Sequence, residues 1–134
     1  MADDRSSRSL EPALRDLVSR FREETGLEVQ FEVTLSAEPP ERRGSLLYRI
    51  VQEALTNVRK HARASRVWLL IQDADGGFRL EVTDNGQGFD PTRPQGRFGL
   101  RTLDERARAV GGWVRVTSVP RRGTLVEAWL PADG

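Results

Sequence analysis

One stretch of ten residues decides the fold of this chain: Glu53-Ala54-Leu55-Thr56-Asn57-Val58-Arg59-Lys60-His61-Ala62. At about 100° per helical residue, Asn57 lies one turn after Glu53, and Lys60 falls on the same side. The opposite side of the helix is apolar and is formed by Leu47, Val51, Leu55, Val58 and Ala62. A carboxylate, an amide and an ammonium group therefore point the same way from a helix anchored by its other face, as in a site for a metal ion and phosphate groups.

The polar side of this helix has a second interpretation, which is a face that simply meets water. Most amphipathic helices carry charge on one side for that reason. Asn57 argues against it, because asparagine is a poor helix former in mid-helix, where Gln, Glu or Lys would serve solubility better. The stretch alone leaves the two interpretations open, and the rest of the sequence has to decide between them.

The composition indicates one soluble globular domain. The chain has 134 residues, of which 37% are hydrophobic, and its net charge of +1 arises from 21 basic and 20 acidic residues. A chain of this length can bury a sizeable core. The absence of cysteine excludes disulfides and thiol chemistry, and a single histidine argues against a zinc site.

Charge and hydropathy patterns argue against nucleic acid and membrane partners. The basic residues form no block: Arg42-Arg43 and Arg121-Arg122 are pairs only, and we expect them in solvated loops. The sequence has no run of about 18 apolar residues, and its N-terminus lacks the apolar core of a signal peptide. We therefore expect a cytoplasmic domain without membrane contact, either freestanding or part of a membrane-bound receptor.

Hydrophobic periodicity predicts three helices and five strands. Helical spacing of apolar residues runs from Leu10 to Phe21 and ends at Gly26, a suitable C-cap. Two further helices contain the stretch quoted above and residues 100–110. Strict alternation over residues 27–35 is typical of a half-buried strand, and residues 67–72 with 78–83 and 113–119 with 124–130 have the pattern of two hairpins.

These elements predict an α+β fold. Because the strands are joined by hairpins rather than by βαβ units, we expect a two-layer α/β sandwich, with a mixed five-stranded sheet and three helices on one face. We expect residues 10–131 to form the domain and residues 1–9 to be a disordered N-terminal segment.

A second motif, Asp84-Asn85-Gly86-Gln87-Gly88, directly follows the third predicted strand. The strand end fixes Asp84 in space, whereas Gly86 and Gly88 allow close backbone approach or a positive φ. An aspartate in that position can accept a hydrogen bond from an exocyclic amine such as that of adenine. Asp-Asn-Gly is also a common turn sequence, and taken alone the motif favours the turn.

Two further motifs place glycine beside a helix or a strand. Gly96-Arg97-Phe98-Gly99-Leu100 opens the last helix, where free backbone N–H groups form an anion site; a flexible loop before a helix is also common. Gly123-Thr124 lies within the last predicted hairpin, where the alternative is a β-turn residue next to a strand threonine. The sequence contains no Gly-x-x-x-x-Gly-Lys-Ser/Thr, which excludes a P-loop. The glycine motif opens no predicted βαβ unit, which argues against a Rossmann site.

The order of these motifs resembles that of the catalytic, ATP-binding domain of sensor histidine kinases, in the superfamily shared with gyrase, Hsp90 and MutL. Residues 48–57 with Lys60-His61-Ala62 resemble the N box, and Asp84-x-Gly86-x-Gly88 resembles the first glycine box. The second half of the chain resembles the subfamily whose response regulators carry NarL-type DNA-binding domains. The motifs concerned are Gly99-Leu100, Glu105-Arg106-Ala107, Gly111-Gly112 and Gly123-Thr124. The resemblance extends from about Leu10 to Pro131 and implies a Bergerat-type ATP-binding fold.

The resemblance also implies a site for ATP and Mg²⁺, with roles for individual residues. Asn57 would be the Mg²⁺ ligand, and Glu53 would polarise a water or the incoming nucleophile beside the metal. Lys60 and His61 would neutralise phosphate charge, as phosphoryl transfer requires. Asp84 would bind the adenine amine. The pocket for the base and the phosphates would be shaped by Gly86, Gly88, Gly99, Leu100 and Thr124.

The implied activity is that of a protein-histidine kinase, although the substrate histidine is not recognisable in this sequence. His61 is the only histidine, and its position within the N box argues against its phosphorylation. Autophosphorylation would therefore need the dimerisation and phosphoacceptor helices of a parent kinase, and signalling would need a response regulator with a NarL-type DNA-binding domain. Two alternatives are an anti-sigma-type serine kinase of the same fold and a non-catalytic module that binds partners. Gln52-Glu53-Ala54 and Glu105-Arg106-Ala107 favour the histidine kinase.

Overall fold

The computed structural model of the chain describes residues 9–88 and 98–132. In these ranges the elements are α1 (Leu10–Thr25), β1 (Glu28–Thr34), α2 (Glu41–Asn57), a π-helical turn (Val58–Ala62), β2 (Arg66–Ala74), β3 (Gly77–Asp84), α3 (Phe98–Ala109), β4 (Trp113–Val119) and β5 (Gly123–Pro131). Of the segment predicted to be disordered, residues 1–8 lie outside the described ranges, and Ser9 directly precedes α1.

The five strands form one mixed sheet in the order β1-β2-β3-β5-β4, which confirms the predicted fold class. The β2–β3, β3–β5 and β4–β5 pairs are antiparallel, whereas β1 and β2 are parallel. The expectation that the chain contains no βαβ unit was therefore wrong for β1-α2-β2. Parallel neighbours need a crossover connection, and α2, with 17 residues, returns the chain to the end of the sheet from which β1 starts.

A single hydrophobic core lies between the helices and one face of the sheet. Its fully buried side chains come from both layers and include Leu10, Leu14, Leu47, Ile50, Val51, Leu69, Ile71, Leu80 and Leu130. Strand residues of the opposite parity remain partly exposed, as expected for an antiparallel sheet with one solvated face. The helices therefore cover one face only, and the polar motifs at the strand ends lie at the border of the core.

Both ends of α1 agree with the predicted pattern. Gly26 adopts a φ of 73°, and its N–H donates to the Arg22 carbonyl at 2.8 Å. This left-handed conformation suits glycine and ends the helix at the predicted residue. The Leu10 N–H at the other end donates to the Glu38 carboxylate at 2.9 Å, which connects the start of α1 to the β1–α2 loop.

The two arginine pairs differ in their surroundings, and the expectation of solvated loops was wrong for Arg42-Arg43. Both residues belong to the first turn of α2, and Arg43 is only 6% exposed. Its Nε donates to the Pro131 carbonyl at 2.8 Å, so burial of the side chain leaves that donor satisfied. Arg121 and Arg122 do lie exposed in the β4–β5 turn. None of the described helices is long and apolar enough to cross a membrane.

Candidate functional site

Asp84 is a buried carboxyl group at the C-terminal end of β3, with 4% of its surface exposed. Oδ1 accepts a hydrogen bond from the Gly86 N–H at 2.8 Å, and the Thr124 N–H also donates to the side chain. Burial raises the pKa of Asp84, and the two backbone N–H donors offset that increase in part because they favour the ionised form. Asp84 is thus a fixed hydrogen-bond acceptor at the border of the core.

The bond from Gly86 confirms the turn interpretation of Asp84-Asn85-Gly86-Gln87-Gly88. Asp84 and Gly86 form a local side-chain turn, as the sequence favoured. The same turn holds the carboxyl group in its buried position. Gly86 and Gly88 are both buried, and Gly88 adopts a φ of 66°, which suits glycine.

The Gly123-Thr124 motif packs directly against Asp84. Thr124 is the register partner of Asp84 between β5 and β3. Gly123 has a φ of 105°, and a Cβ atom on it would lie 2.1 Å from the Asp84 carbonyl oxygen. A side chain at this position would therefore displace the backbone that carries Asp84. The structure brings two motifs that are distant in the sequence to one end of the sheet.

Asn85 has a positioning role that the sequence pattern did not reveal. Its Oδ1 accepts hydrogen bonds from the N–H groups of Ser65 and Arg66, each at 3.0 Å, and its Nδ2 donates to Ser65 Oγ at 3.0 Å. These bonds connect the end of β3 to the segment that leaves the π-helical turn. Asn85 therefore fixes the Asp84 motif relative to the helix that carries Glu53 and Asn57.

Glu53 lies against the first turn of α3. A Cβ atom built on Gly99 would lie 2.4 Å from the Glu53 carboxyl carbon and 2.6 and 2.7 Å from its two oxygens. Only glycine therefore admits the Glu53 carboxylate in this position. Leu100 is 3% exposed and packs in the core, so only its backbone is available to a ligand. Gly96 and Arg97 lie outside the described residues.

Asn57 and Lys60 differ in their helical geometry. Asn57 is half-buried and is the last residue of the α-helical part of α2. Lys60 is exposed and lies in the π-helical turn that follows, whose C-cap residue, Arg63, has a φ of 51°. The projection at 100° per residue therefore does not apply to Lys60. His61 belongs to the same turn, and π-helical turns occur often at functional sites.

An ion pair lies on the surface of α3. Arg108 Nε lies 3.0 Å from Asp104 Oδ2, one helical turn away. Asp104 Oδ1 also accepts the Val114 N–H at 2.8 Å and so connects α3 to β4. Asp104 therefore has its partners within the domain, in the side chain of Arg108 and in the backbone of β4.

The donor set at this end of the sheet suits a metal that is held mainly by phosphate oxygens. In the part of the chain that the structure describes, no group of three or more His, Cys, Asp and Glu side chains is placed to hold a metal ion. Mg²⁺ keeps several waters and takes few protein oxygens beside the phosphates of its partner. A single amide oxygen such as that of Asn57 therefore fits Mg²⁺ better than it fits an ion that needs a complete protein cage.

We expect Asp84→Asn to increase the stability of the ligand-free domain at neutral pH. The raised pKa means that the native state binds more protons than the unfolded state between the ordinary pKa of aspartate and the raised value. The contribution of Asp84 to stability is therefore present below that window and is lost as the pH rises through it. A pKa that is higher by one in the folded state than in the unfolded state corresponds to about 1.4 kcal/mol. Denaturant unfolding at a series of pH values measures the difference.

The matched control for this experiment is Asp73→Asn, which changes an exposed carboxylate on β2. It should give no comparable increase. A lower stability of Asp84→Asn than of the unmodified domain at pH 7, or a difference that does not change with pH, would contradict the assignment of Asp84 as a destabilising buried carboxylate.

Residues 42–134 match the model of the histidine kinase-, DNA gyrase B- and HSP90-like ATPase family. The chain is 39% identical over 122 residues to the signal transduction histidine-protein kinase/phosphatase DegS of Brevibacillus brevis, covering 90% of this chain and 32% of DegS. It is 34% identical to the sensor histidine kinase LiaS of Bacillus subtilis, covering 92% of this chain and 34% of LiaS. The chain thus spans about a third of the length of these curated relatives.

A solved structure shows the same fold. The histidine kinase domain of the Erythrobacter litoralis EL346 blue-light activated histidine kinase superposes with a TM-score of 0.74 and 24% identity. This alignment covers 98% of the chain and 66% of that structure. The arrangement of helices and strands described above is therefore that of a known type of domain.

Proposed function

The chain belongs to the histidine kinase-, DNA gyrase B- and HSP90-like ATPase family, and from this premise we propose that it is the catalytic domain of a two-component sensor histidine kinase. Membership of this family implies that the domain binds ATP. In the proposed reaction, the domain, formed by residues 10–131, transfers the γ-phosphoryl group of ATP to a histidine on a separate phosphoacceptor domain. The named relatives are sensor histidine kinases, so neither a serine kinase nor a non-catalytic module is favoured.

The observation that carries this proposal is the buried, fixed carboxyl group of Asp84. Two backbone N–H groups hold it in place, and the lone pairs that they leave are available to a ligand. An exocyclic amine is a suitable donor to this carboxylate, and adenine supplies one. Asp84 therefore binds the base, while the backbone of Gly86 and Gly88 forms the adjacent wall of the pocket, with Thr124 on the neighbouring strand.

The phosphate end of the site lies at α2 and the start of α3. Asn57 would hold Mg²⁺, which would neutralise phosphate charge when bound. The first-turn N–H groups of α3, including those of Gly99 and Leu100, suit an anion. Lys60 would supply positive charge from the π-helical turn, and His61, whose side chain lies outside the described part of the chain, is the further group that the resemblance implies. Phosphoryl transfer depends mainly on positioning and charge neutralisation, and these groups provide both.

Glu53 is the catalytic residue in this proposal. Its carboxylate lies over Gly99, at the start of the helix that faces the phosphates. From this position it accepts or orients a proton of the incoming nucleophile, the imidazole of the substrate histidine. The partners are the dimerisation and phosphoacceptor helices of the parent kinase and, indirectly, a response regulator with a NarL-type DNA-binding domain. We propose that the domain acts in the cytoplasm.

Thermal unfolding in the presence of Mg·ATP tests the nucleotide-binding part of this proposal. Ligand at about 100 times its dissociation constant stabilises the native state by ~2.7 kcal/mol, which for a domain of this size raises Tm by roughly 10 °C. Mg²⁺ alone is the control and should leave Tm nearly unchanged. An unchanged Tm with saturating Mg·ATP would contradict the proposal.

We expect Gly99→Ala to reduce phosphoryl transfer while leaving the domain at least as stable. The added methyl group would overlap with the Glu53 carboxylate, which is the mobile end of a side chain and can move away. Alanine is also the better helix former by about 1 kcal/mol. The expected result is a loss of about 100-fold in transfer rate, because a displacement of ~1 Å at a reacting group costs that much. Single-turnover transfer to the phosphoacceptor domain, with unfolding measured in parallel, checks both parts.

A double-mutant cycle separates the overlap from a general effect of alanine. If Gly99→Ala acts by displacing Glu53, it should have little further effect in a Glu53→Ala background. An equal loss in both backgrounds would show that Gly99 acts independently of Glu53.

A further inference from the structure

β4 is an edge strand of the sheet. Among the residues that the structure describes, it pairs with β5 on one side and with no strand on the other. Edge strands present unpaired backbone N–H and C=O groups, and many proteins block them with charges, proline or a bulge. The sequence of β4, Trp-Val-Arg-Val-Thr-Ser-Val, contains one charge and no proline, and its register with β5 is continuous. β4 is therefore open to pairing with a further strand.

The backbone of Val116 is directed outward at this edge. The Val114 N–H donates to Asp104 Oδ1 on α3 at 2.8 Å, so it points away from β5. In an antiparallel pair, alternate residues direct both backbone groups to the neighbouring strand. Val116 therefore directs its N–H and C=O to the same side as Val114. No hydrogen bond from the described residues satisfies Val116 on that side.

A groove of about 480 Å³ runs along the same edge. It is lined by Arg108 of α3 and by the four consecutive strand residues 113–116. Consecutive strand residues point to opposite faces of a sheet, so a groove that all four line lies at the edge itself and not on either face. Val116 is partly exposed there. The groove thus combines outward backbone groups with a partly exposed apolar side chain.

Two arginines give this groove a positive charge. The side chains of Arg108 and Arg115 are 67% and 60% exposed. The Nε of Arg108 is paired with Asp104, and the Nε of Arg115 lies 3.6 Å from the Glu127 carboxylate. The terminal nitrogens of both guanidinium groups make no hydrogen bond within the described residues. They are therefore available to a further carboxylate, which is the acceptor that suits a guanidinium group best.

We propose that the edge of β4 is a docking site for an extended, acidic segment of a partner protein, which adds to the sheet as a sixth strand. In such complexes the backbone hydrogen bonds provide affinity, and alternate side chains provide specificity. Aspartate or glutamate opposite Arg115 places the intervening residues of the segment opposite Val116. A second copy of β4 is disfavoured, because it would bring two basic edges together. The contact covers one strand only, so the complex is weak and transient.

Titration of the ¹⁵N-labelled domain with a short blocked peptide of alternating glutamate and valine tests this inference in the absence of nucleotide. We expect chemical-shift changes confined to β4 and the C-terminal end of α3. Arg115→Gln should weaken binding about threefold, and the double variant with Arg108→Gln about tenfold, since exposed ion pairs contribute that much. The control is Arg106→Gln, which changes an exposed arginine of α3 outside the groove and should keep the affinity.

Two further changes test the strand pairing itself. N-methylation of the valines of the peptide removes the N–H groups that would face β4 and should abolish binding, whereas N-methylation of the glutamates should not. In the domain, Val116→Pro removes the outward N–H without removing a bond to β5, as proline does at sheet edges, and should also abolish binding. Val116→Thr keeps the N–H and the branched shape, so it should bind as the unmodified domain does.

Four results would overturn the inference. Absence of shifts, or shifts outside this edge, would remove the docking site. Equal binding of a peptide with lysine in place of glutamate would remove its preference for acidic segments. Binding that survives methylation of the valines would exclude strand addition. Self-association of the peptide-free domain that is lost in Val116→Pro would assign the edge to a second copy. None of these measurements involves ATP, so the proposed function stands or falls separately.

Discussion

Replacing Asn57 with alanine is expected to abolish Mg²⁺-dependent binding of ATP while the domain stays folded. The amide would supply a protein oxygen to Mg²⁺, and the structure offers no carboxylate cluster among the described residues to replace it. Loss of this ligand should weaken binding by more than about 100-fold, since outer-shell partners of metal ligands already account for 10–100-fold. The helix should tolerate the change, because alanine is a better helix former than asparagine.

Calorimetry with ATP in the presence of Mg²⁺ or of a chelator measures this effect. The control is Thr56→Ala, the preceding residue, whose hydroxyl donates to the Gln52 carbonyl within the helix at 2.9 Å. Thr56→Ala should keep Mg²⁺-dependent binding. Unchanged binding in Asn57→Ala, with an intact fold, would rule out Asn57 as the metal ligand.

Glu53→Gln is expected to reduce phosphoryl transfer by about 10²–10⁴-fold, the usual contribution of a general acid–base residue. Glutamine keeps the shape of the side chain over Gly99 but removes the carboxylate. Binding of Mg·ATP should therefore change only a few-fold. Transfer from prebound ATP to an added phosphoacceptor domain, measured in single turnovers, separates the chemical step from binding.

The matched control is Glu105→Gln, which neutralises an exposed glutamate on α3. We expect it to transfer phosphate at the rate of the unmodified domain. A Glu53→Gln variant with an unaltered transfer rate would remove Glu53 from the catalytic role, whatever its effect on nucleotide affinity.

Local patterns were sufficient to predict most elements of the fold. The apolar spacing that ends at Gly26 and the alternation in the two hairpins depend on neighbouring residues alone, and the structure confirms these elements. The parallel pairing of β1 with β2 could not be read in this way. A half-buried strand has the same alternation whether its neighbour is parallel or antiparallel, and the partner is determined by the path of α2 across the core.

Two further differences have causes that the helical pattern does not encode. The π-helical turn at residues 58–62 changes the rotation per residue, so a projection at constant angle was reliable for Glu53 and Asn57 but not for Lys60. Arg43 looked like a solvated charge because its acceptor, the Pro131 carbonyl, lies at the other end of the chain. An arginine whose donors are satisfied by tertiary contacts cannot be recognised from its sequence neighbours.

In the candidate site, too, residues with a local sequence signature could be recognised, whereas residues that act through tertiary contacts could not. Asp84 and Gly123 were recognisable because a strand end and a glycine have local signatures, and the structure brings them into contact. Asn85 was missed because its importance lies in a hydrogen bond to Ser65, which the pairing of β2 with β3 brings close. Residues that position a site through such bonds have no motif of their own.

Phosphorylation of the parent kinase's dimerisation and phosphoacceptor domain by this chain is the most direct test of the account. The two domains are mixed with radiolabelled ATP and Mg²⁺, and the acid and base stability of the product is determined. We expect label on that domain as a phosphohistidine, which is labile in acid and stable in base, and no label when Asn57→Ala replaces the unmodified chain. Absence of label with a domain that binds ATP, or label that is stable in acid, would contradict it.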